Sequence, residues 1–326
     1  MGKHAFCVIQ LLSKLQSVTS HIEIITREIR DEEVGHFKAM TFPRFRPMLK
    51  RCRDYPNLYA LGAWYQGRPA GLVLLSANPD KANAELLSVF VLKALRQKEI
   101  GSTLLKQAET FLGDLGVRAI ETKYSQSEKT SPAIEKCLSK AGWPKACLRM
   151  ILFKSHVDNV LKAQWVKRFL EGADGGVVSA WNSVSVQESA ALEQQDWIPQ
   201  ELKPSVHASQ GIDGAAVLPE LCFVCRLKGE IIGWHFSHRL DEKTVRFSVS
   251  YVHPDQQANM VLARLWYHAA MQMKQTSYSI IRMGVAVQHG RMQDFCKKWL
   301  SPLCDEITYS MGSFKVLHQE QEAVWI

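Results

Sequence analysis

The turn that leads into Gly101 has the residue types of an anion-binding site. A strand predicted over residues 85–92 is followed by a basic loop that contains Arg96 and Lys98. A helix predicted from the spacing of its apolar residues then starts at Gly101. The first N–H groups of a helix have no partner inside it, and the aligned peptide dipoles favour negative charge. Gly101 lets a ligand approach the backbone. The pattern indicates a phosphate site, although an ordinary strand-to-helix turn with solvated basic residues has the same composition.

The segment Arg96-Gln-Lys-Glu-Ile-Gly101 is similar to the Q/R-x-x-G-x-G/A signature of the GNAT N-acetyltransferase superfamily. The resemblance implies that acetyl-CoA (coenzyme A) is the cofactor, with its diphosphate on the backbone N–H groups of this turn and its pantetheine arm along the preceding strand. The residues implied in cofactor binding are Phe90, Val91, Arg96, Gln97, Lys98, Glu99, Ile100, Gly101 and Ser102. The departure is Glu99, which stands where the family usually has its first glycine. Its carboxylate would repel a diphosphate unless it pointed to solvent.

The resemblance also implies where catalysis would take place. In the family an amine attacks a thioester carbonyl, a carboxylate removes its proton, and an acid protonates the departing thiolate. Glu85, at the start of the same strand, stands where many members carry the base. The place of the usual acid tyrosine, four residues before Gly142, is taken by Leu138, so Tyr124 is the candidate substitute. A solvated strand-end carboxylate and a half-exposed strand tyrosine are the alternatives for Glu85 and Tyr124.

Elements that could position these residues are predicted on both sides of the turn. Hydrophobic periodicity predicts a helix over 101–112, which ends before Gly116, and a second helix over 132–140 that Gly142 ends. Strands are predicted over 22–29, 58–65, 70–76, 85–92, 117–123 and 147–153. This order of strands and helices is also the order of the GNAT fold.

The chain repeats its own pattern after 161 or 162 residues. The segment from Gly67 to Leu75 corresponds to that from Gly229 to Ser237, and both have the pattern of a tight turn that enters a strand. Further along, 87–91 corresponds to 248–252, and Leu104-Leu105 corresponds to Leu265-Trp266. Three matches in the same order indicate a duplicated domain. Past the first half, the pattern predicts a helix over 159–170, a long loop over 194–219, a helix over 292–300 and a last strand over 307–309.

The second copy matches the predicted fold and lacks the anion site. At the places of the two signature glycines it has Met260 and Leu262, and no basic residue lies between His253 and Leu262. His235, His238 and Tyr251 are polar candidates there, which we expect to have a structural or substrate-shaping role. We therefore expect an α/β protein (α+β mixed sheet) with two tandem GNAT-like domains: an N-terminal acyl-CoA-binding lobe over 22–155, a helical linker over 156–176 and a degenerate C-terminal lobe over 177–318.

Composition excludes several other classes of protein. The 326 residues are enough for about two domains, and 46% of them are hydrophobic and 22% charged, which is typical of globular proteins. No apolar run reaches the ~20 residues of a membrane span. The eight cysteines are scattered in apolar stretches, which favours reduced thiols and a cytoplasmic location. Cys222 and Cys225 have no second pair to complete a zinc site, so no metal is expected.

The sequence thus predicts an acyl-CoA-dependent N-acyltransferase that acts on a small-molecule or peptide amine. One alternative is a binding protein that holds acyl-CoA without turnover, because Glu99 and Leu138 depart from the family pattern. Another is an aminoacyl-tRNA-using transferase, prompted by the net charge of +8 and by a stretch of basic and aromatic residues over 42–55. A solvated helix face explains that stretch more simply, so we expect neither nucleic acid nor a membrane as a partner. The acceptor and the oligomeric state are not encoded in any motif.

Overall fold

The computed structural model of the chain describes residues 24–50, 54–128, 130–163, 176–208 and 215–317. They form a mixed α/β structure that divides into two compact units. The first unit extends to Cys147 and includes the residues from Met311 onward, and the second unit extends from Leu148 to Ser310. None of the described helices is long and apolar enough to cross a membrane.

The first unit is a twisted sheet with helices on both faces. Its five consecutive strands, paired in chain order, are β1 (Ile24–Glu28), β2 (Leu58–Tyr65), β3 (Arg68–Ala77), β4 (Asn83–Val91) and β5 (Ala119–Ser125). All neighbours are antiparallel except β4 and β5, which are parallel. The helices are α1 (Val34–Phe37), α2 (Arg46–Lys50), α3 (Ile100–Asp114) and α4 (Ser131–Lys140). The predicted strands and helices of this half are therefore present.

Two apolar clusters fix this sheet between its helices. On one face α3 buries Leu104, Leu105, Ala108 and Leu112 against the strands, as its predicted periodicity requires. On the other face Phe37 and Leu49, from α1 and α2, pack on Leu72 and Leu74 of β3. The two faces explain why β3 is a nearly continuous apolar strand rather than an alternating one.

The second unit has the same plan. Its strands are β6 (Cys147–His156), β7 (Val177–Ala180), β8 (Phe223–Leu227), β9 (Glu230–Arg239), β10 (Thr244–Val252) and β11 (Ile280–Ala286), in the sheet order β6-β11-β10-β9-β8-β7. Only β10 and β11 are parallel among the strand pairs described for this sheet. The helices are α5 (Val157–Lys162), α6 (Val186–Glu193), α7 (Pro204–Ala208), α8 (Val261–Met273) and α9 (Gly290–Phe295).

The internal repeat extends to unusual backbone angles. The hairpin turns at Gln66-Gly67 and Lys228-Gly229 have positive φ at both residues, as a two-residue turn of the primed type needs. A bulge lies between the pairs of Leu86 and Ser88 in β4, and another lies between the pairs of Phe247 and Val249 in β10. Because bulges and left-handed turns are specific departures from regular structure, their recurrence supports the duplication predicted from sequence.

The units do not divide at the predicted boundaries of 155 and 177. Strand β6, assigned to the first lobe by sequence, pairs from Met150 to His156 with β11 of the second unit. The last strand, β12 (Glu306–Val316), is longer than the predicted 307–309, and from Met311 onward it belongs to the first unit, where Leu317 N–H donates to Arg118 O at 2.8 Å. The pattern of one strand predicts that strand but not its partner.

Some predicted segments differ in length, and parts of them lie outside the described residues. The helix predicted over 159–170 corresponds to α5, which ends at Lys162, and residues 164–175 of the predicted linker are not described. The helix predicted over 292–300 consists of α9 and a π-type turn from Cys296 to Leu300. The loop predicted over 194–219 contains α7, and its residues 209–214 are outside the described ranges.

Candidate functional site

Strands β4 and β5 part from each other halfway along β4. Their parallel pairing runs from Asn83 opposite Ala119 to Leu86 opposite Thr122 and then ends. On its other side β4 stays paired with β3 as far as Val91. The bulge at Leu87, which bends a strand and increases its twist, lies at the point of parting. The second half of β4 thus has a backbone edge on the β5 side to which an extended ligand can bind.

The loop after β4 leads into α3 through two left-handed residues. Gln97 has a φ of 69° and Glu99, which precedes the first helical residue, has a φ of 63°. Left-handed residues in such a loop turn successive N–H groups toward one side and form a concave anion site. The first-glycine position of the signature therefore keeps the backbone conformation that favours glycine, although its residue is Glu99.

The N–H groups of this loop have no protein acceptor in the described part of the chain. Neither a backbone nor a side-chain acceptor is found there for the N–H groups of residues 97–102, and the helical bonds begin with Thr103 N–H to Glu99 O at 2.9 Å. Arg96, Gln97, Lys98 and Glu99 are exposed, Gly101 is partly exposed, and Ile100 and Ser102 are buried. The arrangement meets the geometric requirement for a diphosphate site at a helix N-terminus.

The side chain of Glu99 is turned toward α4. Its carboxylate pairs with Lys140 Nζ at 2.7 Å and makes no hydrogen bond to the helix that it precedes. The hydrogen bond from Lys140 lowers the pKa of Glu99, so the carboxylate is ionised at neutral pH. Lys140 was not singled out by the sequence, where 41 residues separate it from Glu99.

Both cations of the loop have contacts inside the first unit. Arg96 Nε donates to Val91 O at 3.3 Å, and Lys98 Nζ donates to Tyr65 OH at 3.0 Å. These side chains lie over the end of β4 and over the turn between β2 and β3, respectively. They give this end of the sheet a positive charge, to which the exposed Arg68 of the same turn adds.

Glycine at position 101 is needed for helix packing as well as for the predicted approach of a ligand to the backbone. A Cβ at this position would lie 2.8 Å from Cys137 Sγ and 3.5 Å from Val91 Cγ2, so α3 and α4 approach each other here without space for a side chain. Burial raises the pKa of the Cys137 thiol to about 11, so Cys137 packs as a neutral group. Sequence reasoning missed this contact because nothing local to Gly101 identifies Cys137 as its neighbour.

The residues implied for the pantetheine arm lie on the open half of β4. Val91 pairs with Gly71 of β3, and Phe90 pairs with Leu72. Both side chains are half-buried and pack on opposite faces of the sheet, Val91 with the α3 cluster and Phe90 with the α1 and α2 cluster. Ile100 and Ser102 are buried in the first turn of α3, and the Ser102 hydroxyl donates to Glu99 O at 2.8 Å.

Glu85 lies next to the point where β4 and β5 part. It is opposite Glu121 of β5, and Lys123 Nζ lies 3.3 Å from Glu85 Oε2 and 2.7 Å from Glu121 Oε1. The side chain of Glu85 is about one-third exposed, at 36%. A carboxylate held by one lysine and open to water can accept a proton directly or through a water molecule.

Tyr124 remains in β5 and is not folded back by the loop that follows it. Its OH donates to Glu135 Oε1 at 3.1 Å, and burial together with Glu135 raises its pKa to about 12. Leu138, at the place of the family's acid tyrosine, is buried in the α3 cluster. Glu85 and Tyr124 belong to opposite sides of the opening, and no contact joins them in the part of the chain that is described.

The second unit has the left-handed residue before the helix and lacks the cations of the first loop. Met260, which lies 161 residues after Glu99, is also left-handed, with a φ of 54°, and α8 starts directly after it. Pairing of β10 with β11 ends at Phe247, so the strands part as they do in the first unit. On α8, Trp266 is buried and its Nε1 donates to Ser250 Oγ of β10 at 2.8 Å, so an indole lies against the unpaired half of that strand.

The polar candidates of the second unit have hydrogen-bond partners inside the fold. His235 is fully buried between Ser250 Oγ at 2.7 Å and Ser237 Oγ at 2.8 Å, and burial lowers its pKa to about 3. His238 Nδ1 forms a hydrogen bond with Ser248 Oγ at 2.9 Å. Tyr251 OH donates to Trp197 O at 2.8 Å. A neutral buried histidine with two hydroxyl partners is a structural group.

A cleft of about 480 Å³ lies at the loop end of the second unit. Its charged lining consists of Glu188, Glu230 and Asp255, without a lysine or arginine among the described residues that form it. Glu188 is paired with Arg226 at 2.9 Å, and Glu230 stands 162 residues after Arg68 of the first unit. The lining of this cleft is therefore acidic, although Arg226 and the exposed Lys228 lie beside it in sequence.

A metal site is not formed by the described residues. No group of three or more His, Cys, Asp or Glu side chains comes together in them, and the six described cysteines form no disulfide with one another. Cys222 and Cys225 are buried in the second unit, where burial raises the pKa of each thiol to about 11.

Comparisons with known proteins agree with this geometry. The model of the acetyltransferase (GNAT) family matches residues 23–135. Among solved structures, the chain is similar to a tandem GNAT protein from the clavulanic acid biosynthesis pathway, with 12% identity, a TM-score of 0.61, and 91% of this chain and 99% of that chain covered. A GCN5-related N-acetyltransferase from Sphaerobacter thermophilus has 13% identity and a TM-score of 0.57, with 91% and 96% covered.

A third similar structure is the GCN5-related glucosamine N-acetyltransferase region of a fungal multi-domain GH3 beta-N-acetylglucosaminidase. It has 15% identity and a TM-score of 0.61, over 90% of this chain and 38% of that longer chain. No curated protein sequence matches the chain. At these identities the structural matches establish the fold, which is that of tandem GNAT proteins.

Proposed function

Because the chain contains a GNAT-family domain within a tandem GNAT fold, we propose that it is an acyl-CoA-dependent N-acyltransferase with acetyl-CoA as the donor. The observation that carries the proposal is the opening between β4 and β5, which leads to a loop with accessible N–H groups at the start of α3. The opening and the loop are both in the first unit. A reducing, cytoplasmic location is part of the proposal, since the described cysteines form no disulfide with one another.

In this proposal the loop holds the diphosphate and β4 holds the pantetheine arm. The N–H groups of residues 97–102 bind the phosphate oxygens, and Arg96 and Lys98 add positive charge. The arm lies along the open edge of β4 at Phe90 and Val91. Arg96 then exchanges its long contact with Val91 O for a phosphate, which frees that carbonyl for the arm.

The proposed reaction is direct attack of an amine on the thioester carbonyl. Glu85 takes a proton from the attacking nitrogen, directly or through water, and the new C–N bond forms as the carbonyl electrons move to oxygen. When the carbonyl is restored, the C–S bond breaks and the thiolate of coenzyme A leaves. Tyr124 is the proposed proton donor to this thiolate. Its pKa of about 12 keeps it protonated and makes it a weak acid, so its contribution is small.

Calorimetric titration with coenzyme A and with acetyl-CoA tests the donor site, and release of free thiol in the presence of an amine panel tests turnover. We expect both ligands to bind, and we expect thiol release to need an amine. A protein that binds neither ligand would contradict the proposal. Tight binding without thiol release from any amine would favour an acyl-CoA-binding protein, a second candidate that the replacement of the acid tyrosine by buried Leu138 favours.

Glu85→Gln separates catalysis from binding. We expect the variant to bind coenzyme A with unchanged affinity and to lose about a hundredfold in kcat, the lower range for a general base. Glu121→Gln, on the neighbouring strand and bound to the same Lys123, is the matched control that removes one carboxylate from the pair. Equal loss in the two variants would assign the effect to Lys123 instead of to proton transfer.

A further inference from the structure

Glu99 occupies a position from which a carboxylate could reach the proposed diphosphate site. It immediately precedes α3, where a side-chain oxygen can accept hydrogen bonds from the N–H groups of the second or third helical residue. Such a cap would take the same N–H groups that a diphosphate needs. In the structure the Glu99 side chain makes no cap, and its carboxylate lies instead on Lys140 Nζ at 2.7 Å.

We propose that Lys140 is a positioning residue that holds the Glu99 carboxylate away from the first turn of α3 and so keeps the diphosphate site open. The proposal rests on the proposed function of that site. Lys140 ends α4, and α4 is fixed against the start of α3 by the close approach of Gly101 to Cys137. The lysine is therefore held near the carboxylate by packing of the two helices, independently of the ion pair itself.

Stability alone does not account for this pair. The side chains of Lys140 and Glu99 are 45% and 67% exposed, and ion pairs this exposed add little to folding. In the second unit Met260 stands at the place of Glu99, so no carboxylate directly precedes α8 there.

The test is a set of coenzyme A affinities measured by calorimetry on the full chain. Lys140→Met is expected to weaken binding about fivefold, the size of a typical N-cap interaction that the released Glu99 would form. Lys136→Met, which removes an exposed lysine from the same helix, is the control for net charge and is expected to change affinity less than twofold. Lys140→Arg keeps the cation and is expected to bind coenzyme A with the affinity of the unchanged chain.

The decisive variant is Lys140→Met in a Glu99→Gly background. Glycine adopts a φ of 63° without strain, and the substitution removes a carboxylate that repels a diphosphate, so Glu99→Gly is expected to bind coenzyme A more tightly than the unchanged chain. In the Glu99→Gly background, Lys140→Met should then change coenzyme A affinity no more than Lys136→Met does. Urea unfolding of Lys140→Met should match that of the unchanged chain, which separates positioning from a structural role.

Each other outcome overturns a different statement. If the unchanged chain and Glu99→Gly both fail to bind coenzyme A, the proposed function is wrong and the role of Lys140 falls with it. If the unchanged chain binds and Lys140→Met equals Lys136→Met, the function stands and the positioning role is wrong. If Lys140→Met weakens binding equally with and without Glu99, the lysine contacts the phosphates directly and does not act through the carboxylate.

Discussion

The two units share a backbone and differ in what their loops offer a ligand. In both, a bulged strand parts from its parallel neighbour and leads through a left-handed residue, Glu99 or Met260, into a helix. In the first unit the loop carries Arg96 and Lys98 and the opening is accessible. In the second unit cations are missing from the loop, and Trp266 donates to Ser250 on the unpaired half of β10. The left-handed residue before the helix is common to the two units, whereas the cations that we propose for anion binding belong to the first unit alone.

The largest expected difference between the units is in acid stability. Burial lowers the pKa of His235 in the second unit to about 3, against 6.5 in the unfolded chain. The unfolded state therefore binds more protons below pH 6.5, and stability falls as pH drops from 6.5 toward 3, by roughly 4 kcal/mol over the whole window. Hydrogen-exchange protection factors in the second unit should be lower at pH 5 than at pH 7.

His235→Asn should reduce this pH dependence because asparagine does not titrate. His36→Asn, at an exposed histidine of the first unit, is the control and should leave both units unchanged. Equal loss of protection in the two units at pH 5, with or without His235, would show that another group causes the acid sensitivity.

The next largest effect is expected when Gly101 of the first unit is replaced by leucine, the residue at the corresponding position 262 of the second unit. Gly101→Leu places a side chain 2.8 Å from Cys137 Sγ and next to the first-turn N–H groups. We expect coenzyme A affinity to fall about a hundredfold or more and the free energy of unfolding to fall by about 1–3 kcal/mol. Calorimetry and urea unfolding measure the two losses.

The reverse exchange, Leu262→Gly, should not create a binding site in the second unit, because cations are also missing from its loop. Gly101→Ala combined with Cys137→Ala keeps the space at the helix contact and should recover stability over Gly101→Ala alone. Recovery of stability without recovery of binding would show that Gly101 has a ligand role in addition to its packing role.

A smaller effect is expected at Tyr124, whose place in the second unit is taken by Val285. Tyr124→Phe removes the OH that donates to Glu135 and that we propose as proton donor. Because a phenol with a pKa of about 12 is a weak acid toward a thiolate, we expect kcat to fall about tenfold, below the usual range for acid catalysis. An unchanged kcat would remove Tyr124 from the mechanism. Glu135→Gln, which changes the acceptor of the Tyr124 OH, is an independent check of that role.

The smallest effect is expected from Arg96→Gln, which introduces the residue found at Gln257 in the second unit. The N–H groups of the loop remain, so coenzyme A affinity should fall only about threefold to fivefold, and less at high salt. Lys38→Gln, at an exposed lysine near α1, is the control for net charge. A loss at 1 M salt as large as that at low salt would mean that Arg96 acts through its contact with Val91.

Sequence reasoning predicted the strands and the helices of the first unit well because these depend on nearby residues, and anion binding by the loop before α3 stays a prediction. The apolar spacing of 101–112 predicted α3, and the positive charge before Gly101 identified the loop. The same reasoning assigned β6 to the first lobe and ended β12 too early. It did not find Lys140, Cys137 or Lys123, because each acts on a residue that is distant in the chain.

The sequence by itself determined that the fold is duplicated and that one copy has the charge for an anion. Both properties follow from periodicity and from local residue types, which can be compared between segments without coordinates. The tertiary structure decided which unit contains β6 and the end of β12, which groups meet Glu99 and Gly101, and where β4 and β5 part. Backbone pairing and side-chain reach over tens of residues decide these points, and a local pattern does not encode them.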